Sequence, residues 1–234
     1  MTTMNPFWKN DEQLFSVFRQ ELSTAIVGEV LDQMGLNAQF LPGYIRPLDS
    51  RMMLVGRAMP VLFADCFETF SPSGLNPVFA KPFGLMLEAL DDLRPQEIFV
   101  ATGGRNELAM WSELMTVRAM RLGAAGALVD GCVRDTNALS RFSFPIFSRG
   151  SFAQDQRTRG KVVDFRVAVQ IGHVRVRPGD IIFGDHEGVC ILPQGAEGDV
   201  VEAALQRLHK RAEARRELES GATAVEVFAK HNMI

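Results

Sequence analysis

The spacing of apolar side chains divides the chain into a helical start, a mixed centre and a helical end. Asp11 to Gln20 can form a short helix. Ser23 or Thr24 is placed to cap a second, with apolar positions Ile26, Val27, Val30, Leu31 and Met34, and Gly35 stops it. Met52 to Phe63 holds the apolar, partly β-branched run of a strand, in which Pro60 argues for an edge or a break. Ala64 to Pro82 contains three prolines and a Ser-Pro-Ser-Gly turn signal, so it reads as a long loop that covers something.

The pattern then becomes regular. Glu97 to Ala101 reads as a strand, Asn106 to Leu122 as a helix and Gly126 to Asp130 as a second strand, which together make a βαβ unit. A parallel pair with a right-handed crossover brings the loops after Ala101 and Asp130 to the same carboxyl edge, where ligands usually bind. Further strands are expected at Pro145 to Arg149, Val162 to Gln170, Val174 to Arg177, Ile181 to Phe183 and Val189 to Leu192. Ile171-Gly172-His173 and Asp185-His186-Glu187-Gly188 supply hairpin turns. A charged helix from about Gly198 to Ser220 and another from Thr223 to Lys230 close the chain.

Composition narrows the class. With 234 residues, 47% hydrophobic and 23% charged, the chain has the balance of an ordinary water-soluble protein, and one domain over 1–234 is the simplest reading. Cys66, Cys132 and Cys190 are odd in number and widely spaced, which fits reduced thiols in a cytoplasm. The amino terminus lacks a signal-peptide core, and no stretch approaches the roughly 18 apolar residues of a membrane span, so neither export nor a membrane is expected. A net charge of −3 gives no broad attraction for phosphate backbones, and nucleic acid is not an expected partner.

Three segments carry candidate chemistry. In Gly126-Ala-Leu-Val-Asp-Gly-Cys-Val-Arg-Asp135, a buried strand is followed by Arg134 and Asp135. A carboxylate is a hard ligand for magnesium or manganese, and an adjacent guanidinium can stabilise an oxyanion beside the metal. The same pair also fits a plain helix cap, with Asp135 ahead of Thr136 and Arg134 solvated. In Ala101-Thr-Gly-Gly-Arg-Asn106, glycines let backbone approach a ligand, and N–H groups near a helix start can hold a carboxylate; a Gly-rich turn with Trp111 in the core is the structural alternative. Asp180 and Asp185 frame turns in which a buried Asp commonly accepts from backbone N–H groups, while His186 and Glu187 are either within reach of a ligand or exposed at a turn tip. The four histidines lack metal-ligand spacing, and no Gly-x-Ser-x-Gly elbow occurs.

These residues together resemble a family. Leu22-Ser-Thr-Ala-Ile, Val55-Gly-Arg-Ala58, Trp111-Ser-Glu-Leu114, Gly126 to Asp135, Val176-Arg-Pro-Gly-Asp180 and Gly184-Asp-His-Glu-Gly-Val-Cys-Ile-Leu-Pro193 are similar to segments of the regulator-of-ribonuclease-activity-A-like proteins. That family includes the 4-hydroxy-4-methyl-2-oxoglutarate and 4-carboxy-4-hydroxy-2-oxoadipate aldolases. The resemblance implies a layered α/β sandwich like the phosphohistidine swivelling domain, assembled as homotrimers or homohexamers with sites at subunit boundaries. It implies Asp135 as the direct ligand of Mg2+ or Mn2+ and Arg134 as the contact for the oxygen that carries enolate charge. It also implies that backbone around Ser112, Glu113, Leu114 and Met115 holds a 2-oxo acid carboxylate. The implied activity is a class II pyruvate aldolase: a 4-hydroxy-2-oxo acid is cleaved to pyruvate and a second carbonyl compound, with oxaloacetate decarboxylation through the same enolate. Two alternatives remain open, a non-catalytic protein that binds a ribonuclease or other partner and a lyase or hydratase for another acid. The chain departs from the family at Ser112, where glycine is usual, and at Gly28-Glu29-Val30, where an Asp-Ala pair is common. A tail carboxylate that completes a neighbour's site is not assignable among Glu213, Glu217, Glu219 and Glu226.

Overall fold

The structure is a computed structural model that describes residues 8–67 and 77–233. Helix α1 (Asp11–Glu21) starts where the Asn10 side chain accepts from the Gln13 N–H, and α2 (Thr24–Gln33) starts where Ser23 does the same for Ile26. Gly35, at φ +77°, ends α2 as its position in the sequence predicts. Strand β1 (Arg46–Pro47) is short, and β2 (Leu54–Asp65) is the longest strand. Of the expected loop from Ala64 to Pro82, residues 68–76 lie outside the described residues; on its flanks β2 runs on to Asp65, and Pro77–Ala80 is a single 3-10 turn.

Helix α3 (Met86–Asp91) leads to β3 (Glu97–Thr102), β4 (Ala109–Trp111), α4 (Glu113–Arg121), β5 (Gly126–Val129), β6 (Cys132–Val133) and α5 (Thr136–Leu139). Then come β7 (Ile146–Ser148), β8 (Gly150–Ser151), β9 (Gly160–Phe165), β10 (Val169–Ile171), β11 (Val174–Val176), β12 (Ile181–Gly184), β13 (Val189–Leu192), α6 (Glu197–Glu219) and α7 (Ala224–His231). The main sheet runs β1-β7-β5-β3-β2-β12-β13, with β9 also paired to β2; β10-β11 is a hairpin, and β4-β6-β8 form a small parallel sheet.

Strict alternation sorts the main sheet into two layers. Phe99, Ala101, Ala127 and Val129 face α3 and α4, and Val55, Ile181, Phe183 and Cys190 on the same side face α1, α2 and α6. The opposite side, with Ile98, Val100, Leu128 and Ile182, is covered by the β10-β11 hairpin. Arg57 clamps the helical layer to β2: its guanidinium donates to Asp11 of α1 at 2.7 and 2.9 Å and to Glu197 of α6 at 2.6 Å.

Three expectations need correction. Pro60 lies inside the central strand, because its missing N–H falls where β2 passes from β12, paired through Arg57, to β9, paired from Val61; its carbonyl still accepts from Arg166. Asn106 to Leu122 is helical only in its second half. Leu108, Ala109, Met110 and Trp111 are all buried, and four consecutive buried residues suit a strand enclosed on both faces better than one face of a helix. Val162 to Gln170 is not one strand, since Arg166 turns the chain at φ +56° and ties down Asp92 and Glu97.

The parallel pairing of β3 with β5 is as the sequence predicts. Asp180 is buried and accepts from the backbone N–H groups of Arg177 at 2.8 Å and Gln194 at 3.1 Å. Asp180→Ala orphans both donors and lowers stability by roughly 2 kcal/mol; a urea midpoint that does not move would show that these N–H groups find other acceptors.

Candidate functional site

Arg134 and Asp135 follow β6, in the small sheet rather than at the end of the main parallel pair. Pairing of Ala109 with Cys132 and of Trp111 with Val133 sets the two residues beside the start of α4, and the Arg134 N–H donates to the Trp111 carbonyl at 3.1 Å. Asp135 is in the left-handed region, at φ +62°, which an Asp tolerates better than most residues. Asp135 is the N-cap of α5, as the helix-cap reading expects, and its carbonyl accepts from Ala138 and Leu139, but its side chain makes no capping bond. One carboxylate oxygen instead accepts from the Glu113 N–H at 3.3 Å. Ser112 is the N-cap of α4 in extended backbone, and its hydroxyl makes no capping bond either. The next N–H groups of the first turn, those of Leu114 and Met115, have no helical carbonyl four residues back, so they remain available to an anion, and the helix dipole favours one there.

Arg134 has two carboxylate neighbours. Its Nη1 donates to Asp155 at 3.0 Å and its Nε lies 3.9 Å from Asp135. A cleft of about 240 Å³ opens against this group, with Ser112, Leu114, Met115, Arg134, Asp155 and Gln156 in its wall beside the apolar side chains of α3 and β4. The fold therefore brings together the Ser112–Met115 segment and Arg134–Asp135, two segments that the sequence singles out separately. Asp155 and Gln156 were missed: an Asp-Gln pair in a polar stretch carries no local signal, and only the seating of β8 against β6 delivers it here.

The other candidate segments lie elsewhere. The loops after Ala101 and Asp130 do meet, since the Asp130 N–H donates to the Ala101 carbonyl at 2.8 Å, but Asp130 is held there by Arg149 and Thr102. Gly103 and Gly104 have φ +92° and +69° and precede β4, not a helix. A Cβ at Gly103 would come 2.3 Å from the Phe63 carbonyl oxygen, so this glycine serves close packing on β2. Asp185 accepts from the N–H and hydroxyl of Thr24 at 2.8 and 2.7 Å, and His186 and Glu187 are exposed at the turn tip. In the tail, Glu226 closes a capping box with Thr223, Glu217 binds Lys230 and Glu219 binds Arg215. On β6, burial pushes the Cys132 thiol above its ordinary pKa, so it is a thiol at neutral pH and not a ready nucleophile.

The donor set suits a hard cation held by one side chain. The Asp135 side chain is 43% exposed, and its two contacts are long, which leaves most lone-pair positions open. Among the described residues no group of three His, Cys, Asp or Glu is placed to hold an ion. Magnesium and manganese accept one carboxylate with water and substrate completing the shell, whereas zinc takes nitrogen and sulfur cages. Also among the described residues, no helix is long and apolar enough to cross a membrane.

Comparison with known proteins places these features in a family. A family model described as RraA-like, Aldolase/RraA, matches residues 24–191, from the start of α2 almost to the end of β13. A Halalkalibacterium halodurans protein named "Putative 4-hydroxy-4-methyl-2-oxoglutarate aldolase" is 31% identical over 187 residues, 80% of each chain. Protein DlpA of Legionella pneumophila is 24% identical over 185 residues, 78% of this chain but 28% of DlpA, so this chain spans little more than a quarter of that relative. Among solved structures, Streptomyces coelicolor RraAS2, described as an unusual member of the RNase ES inhibitor RraA protein family, superposes with a TM-score of 0.76 at 21% identity, over 90% of this chain and 100% of that one. All of the cleft-lining residues fall inside the matched span, and the chain belongs to the RraA-like family, Aldolase/RraA.

Proposed function

We propose that the chain is a divalent-metal-dependent lyase that releases pyruvate from 4-hydroxy-2-oxo acids. The observation that carries this reading is that Asp135, bonded to the Glu113 N–H and 3.9 Å from the Arg134 Nε, sits beside a cleft whose wall includes Arg134 and the first turn of α4. Asp135 would hold a magnesium or manganese ion, which when bound supplies Lewis-acid polarisation of the 2-oxo group. The first-turn N–H groups of Leu114 and Met115 hold the substrate carboxylate, while that of Glu113 stays on Asp135. Arg134 faces the 2-oxo oxygen, where negative charge grows as the C3–C4 bond breaks and its electron pair moves toward C3. C4 becomes a carbonyl as its hydroxyl loses a proton, and C3 gains one to give pyruvate. In net terms one proton moves from oxygen to carbon and no co-reactant is consumed. Asp155, bound to Nη1, holds the guanidinium in place and is a positioning residue. Decarboxylation of oxaloacetate puts the same charge on the same oxygen, so Arg134 serves both reactions. No lysine Schiff base is needed.

The test is pyruvate release, coupled to lactate dehydrogenase, from 4-hydroxy-4-methyl-2-oxoglutarate and from oxaloacetate, with magnesium, manganese or chelator. Turnover stops with chelator, and Asp135→Ala raises the metal concentration for half-maximal rate by about tenfold or more. Turnover indifferent to chelator would remove Asp135 from the reading, and none on any 2-oxo acid, with the protein folded, would favour a binding role.

A further inference from the structure

Lys161 of β9 is buried, at 7% exposure, and its ammonium donates to the carbonyls of Lys81 at 2.6 Å and Pro82 at 3.2 Å. An ammonium taken out of water is costly unless acceptors replace its hydration, and these two carbonyls do so. The bonds also tie down a stretch of chain that is exposed at both residues. The tie continues into the residues that follow. The Val162 N–H donates to the Phe83 carbonyl at 3.2 Å and the Leu85 N–H to the Val162 carbonyl at 2.9 Å. Gly84 between them lies so close that a Cβ would come 2.1 Å from the Val162 oxygen, at a φ of +63° that glycine adopts without strain.

Of residues 81–85, Phe83 is the one that lines the cleft, and Arg157 packs over its ring, 5.3 Å from the centroid. The place of Phe83 in the wall is thus fixed from behind, by a lysine that is not itself among the lining residues. The groups assigned to charge are held separately: Arg134 by the Trp111 carbonyl and Asp155, Asp135 by the Glu113 N–H. Release of residues 81–85 from β9 therefore changes the wall and leaves those groups in place. A change of that kind weakens the binding of substrate and transition state alike, which raises KM and spares kcat.

We propose that, within the lyase reading on which this rests, Lys161 is a positioning residue that sets substrate affinity through Phe83, by holding residues 81–85 against β9. It acts on the wall alone and takes no part in the handling of charge. A purely structural lysine would change the amount of folded protein, and with it the apparent kcat, at constant KM.

The experiment measures KM and kcat of the metal-supplemented protein for pyruvate release from 4-hydroxy-4-methyl-2-oxoglutarate and from oxaloacetate, in Lys161→Met, Phe83→Ala and the double variant, together with hydrogen exchange at the Leu85 and Val162 amides. Methionine keeps most of the stem and removes the donors. Lys161→Met is expected to raise KM by about fivefold with kcat within about twofold of wild type. It should also speed exchange at the two amides by about tenfold while the amides of β3 and β5 stay as in wild type. Phe83 is only partly buried, so Phe83→Ala should fold, and it should raise KM at least as much. Because both changes act on one wall, the double variant should have the KM of Phe83→Ala alone, whereas independent effects would multiply. Multiplied effects, or an unchanged KM in either single variant, overturn the proposal and leave the lyase reading standing. Unchanged exchange at Leu85 and Val162 overturns the tie between Lys161 and residues 81–85. Absence of pyruvate from both acids with the wild-type protein removes the lyase reading and this proposal with it.

Discussion

Arg134→Ala is expected to lower kcat/KM for pyruvate release by about 10³-fold, the scale seen when a preorganised donor is removed from a developing oxyanion. The guanidinium is partly exposed and its contacts lie at the cleft, so the fold should tolerate its loss. The thermal midpoint then stays within a few degrees while turnover collapses. Arg134→Lys refines the test. It keeps the charge but cannot hold Asp155 and the substrate oxygen with one planar fork, so its rate should fall between wild type and alanine. A variant within tenfold of wild type on pyruvate release, with the metal requirement intact, would falsify the placement of Arg134 on the charged oxygen.

Trp111→Ala is expected to cost about 3–5 kcal/mol, the range for truncating a large buried aromatic. Trp111 is 1% exposed, its ring centroid lies 5.1 Å from that of Phe99 and 6.1 Å from that of Phe144, and its Nε1 donates to the Thr116 hydroxyl at 2.7 Å. For a chain of this size each kcal/mol moves the midpoint by about 2–4 °C, so a fall on the order of 10 °C is expected by calorimetry or circular dichroism. The residue also joins stability to function, since its carbonyl accepts from Arg134 and its ring walls the cleft. Trp111→Phe retains most of the packing and should lose less. A midpoint shift of under about 3 °C in the alanine variant would mean that Phe99 and Phe144 close over the gap.

Legibility followed the range of the interaction. The starts of α1 and α2, the stop at Gly35, the parallel pair of β3 and β5, and the β10-β11 and β12-β13 hairpins all lie in local spacing and turn residues, and all are found close to where the sequence puts them. Failures came where neighbours in space overrode local preference. Leu108 to Trp111 satisfies a helical pattern as part of a longer window, yet the run is enclosed by core on both faces and becomes β4. Pro60 breaks a strand by its own chemistry, yet a change of pairing partner supplies the one register position at which its missing donor is harmless.

The same division holds for the candidate site. Arg134, Asp135 and the Ser112–Met115 segment stand out in the sequence because their residue types in that order resemble a family and suit metal and carboxylate chemistry, and the fold brings the two segments together. Three features were decided by the fold alone: the Asp135 side chain turns to the start of α4 and not to α5, Asp155 holds Arg134, and the buried Gln156 Oε1 is left without a hydrogen-bond partner. The physical reason is separation along the chain. Asp135 and Glu113 are 22 residues apart and Arg134 and Asp155 are 21 apart. Their approach is set by the register of β4, β6 and β8, which no local propensity encodes and which only packing against the main sheet selects.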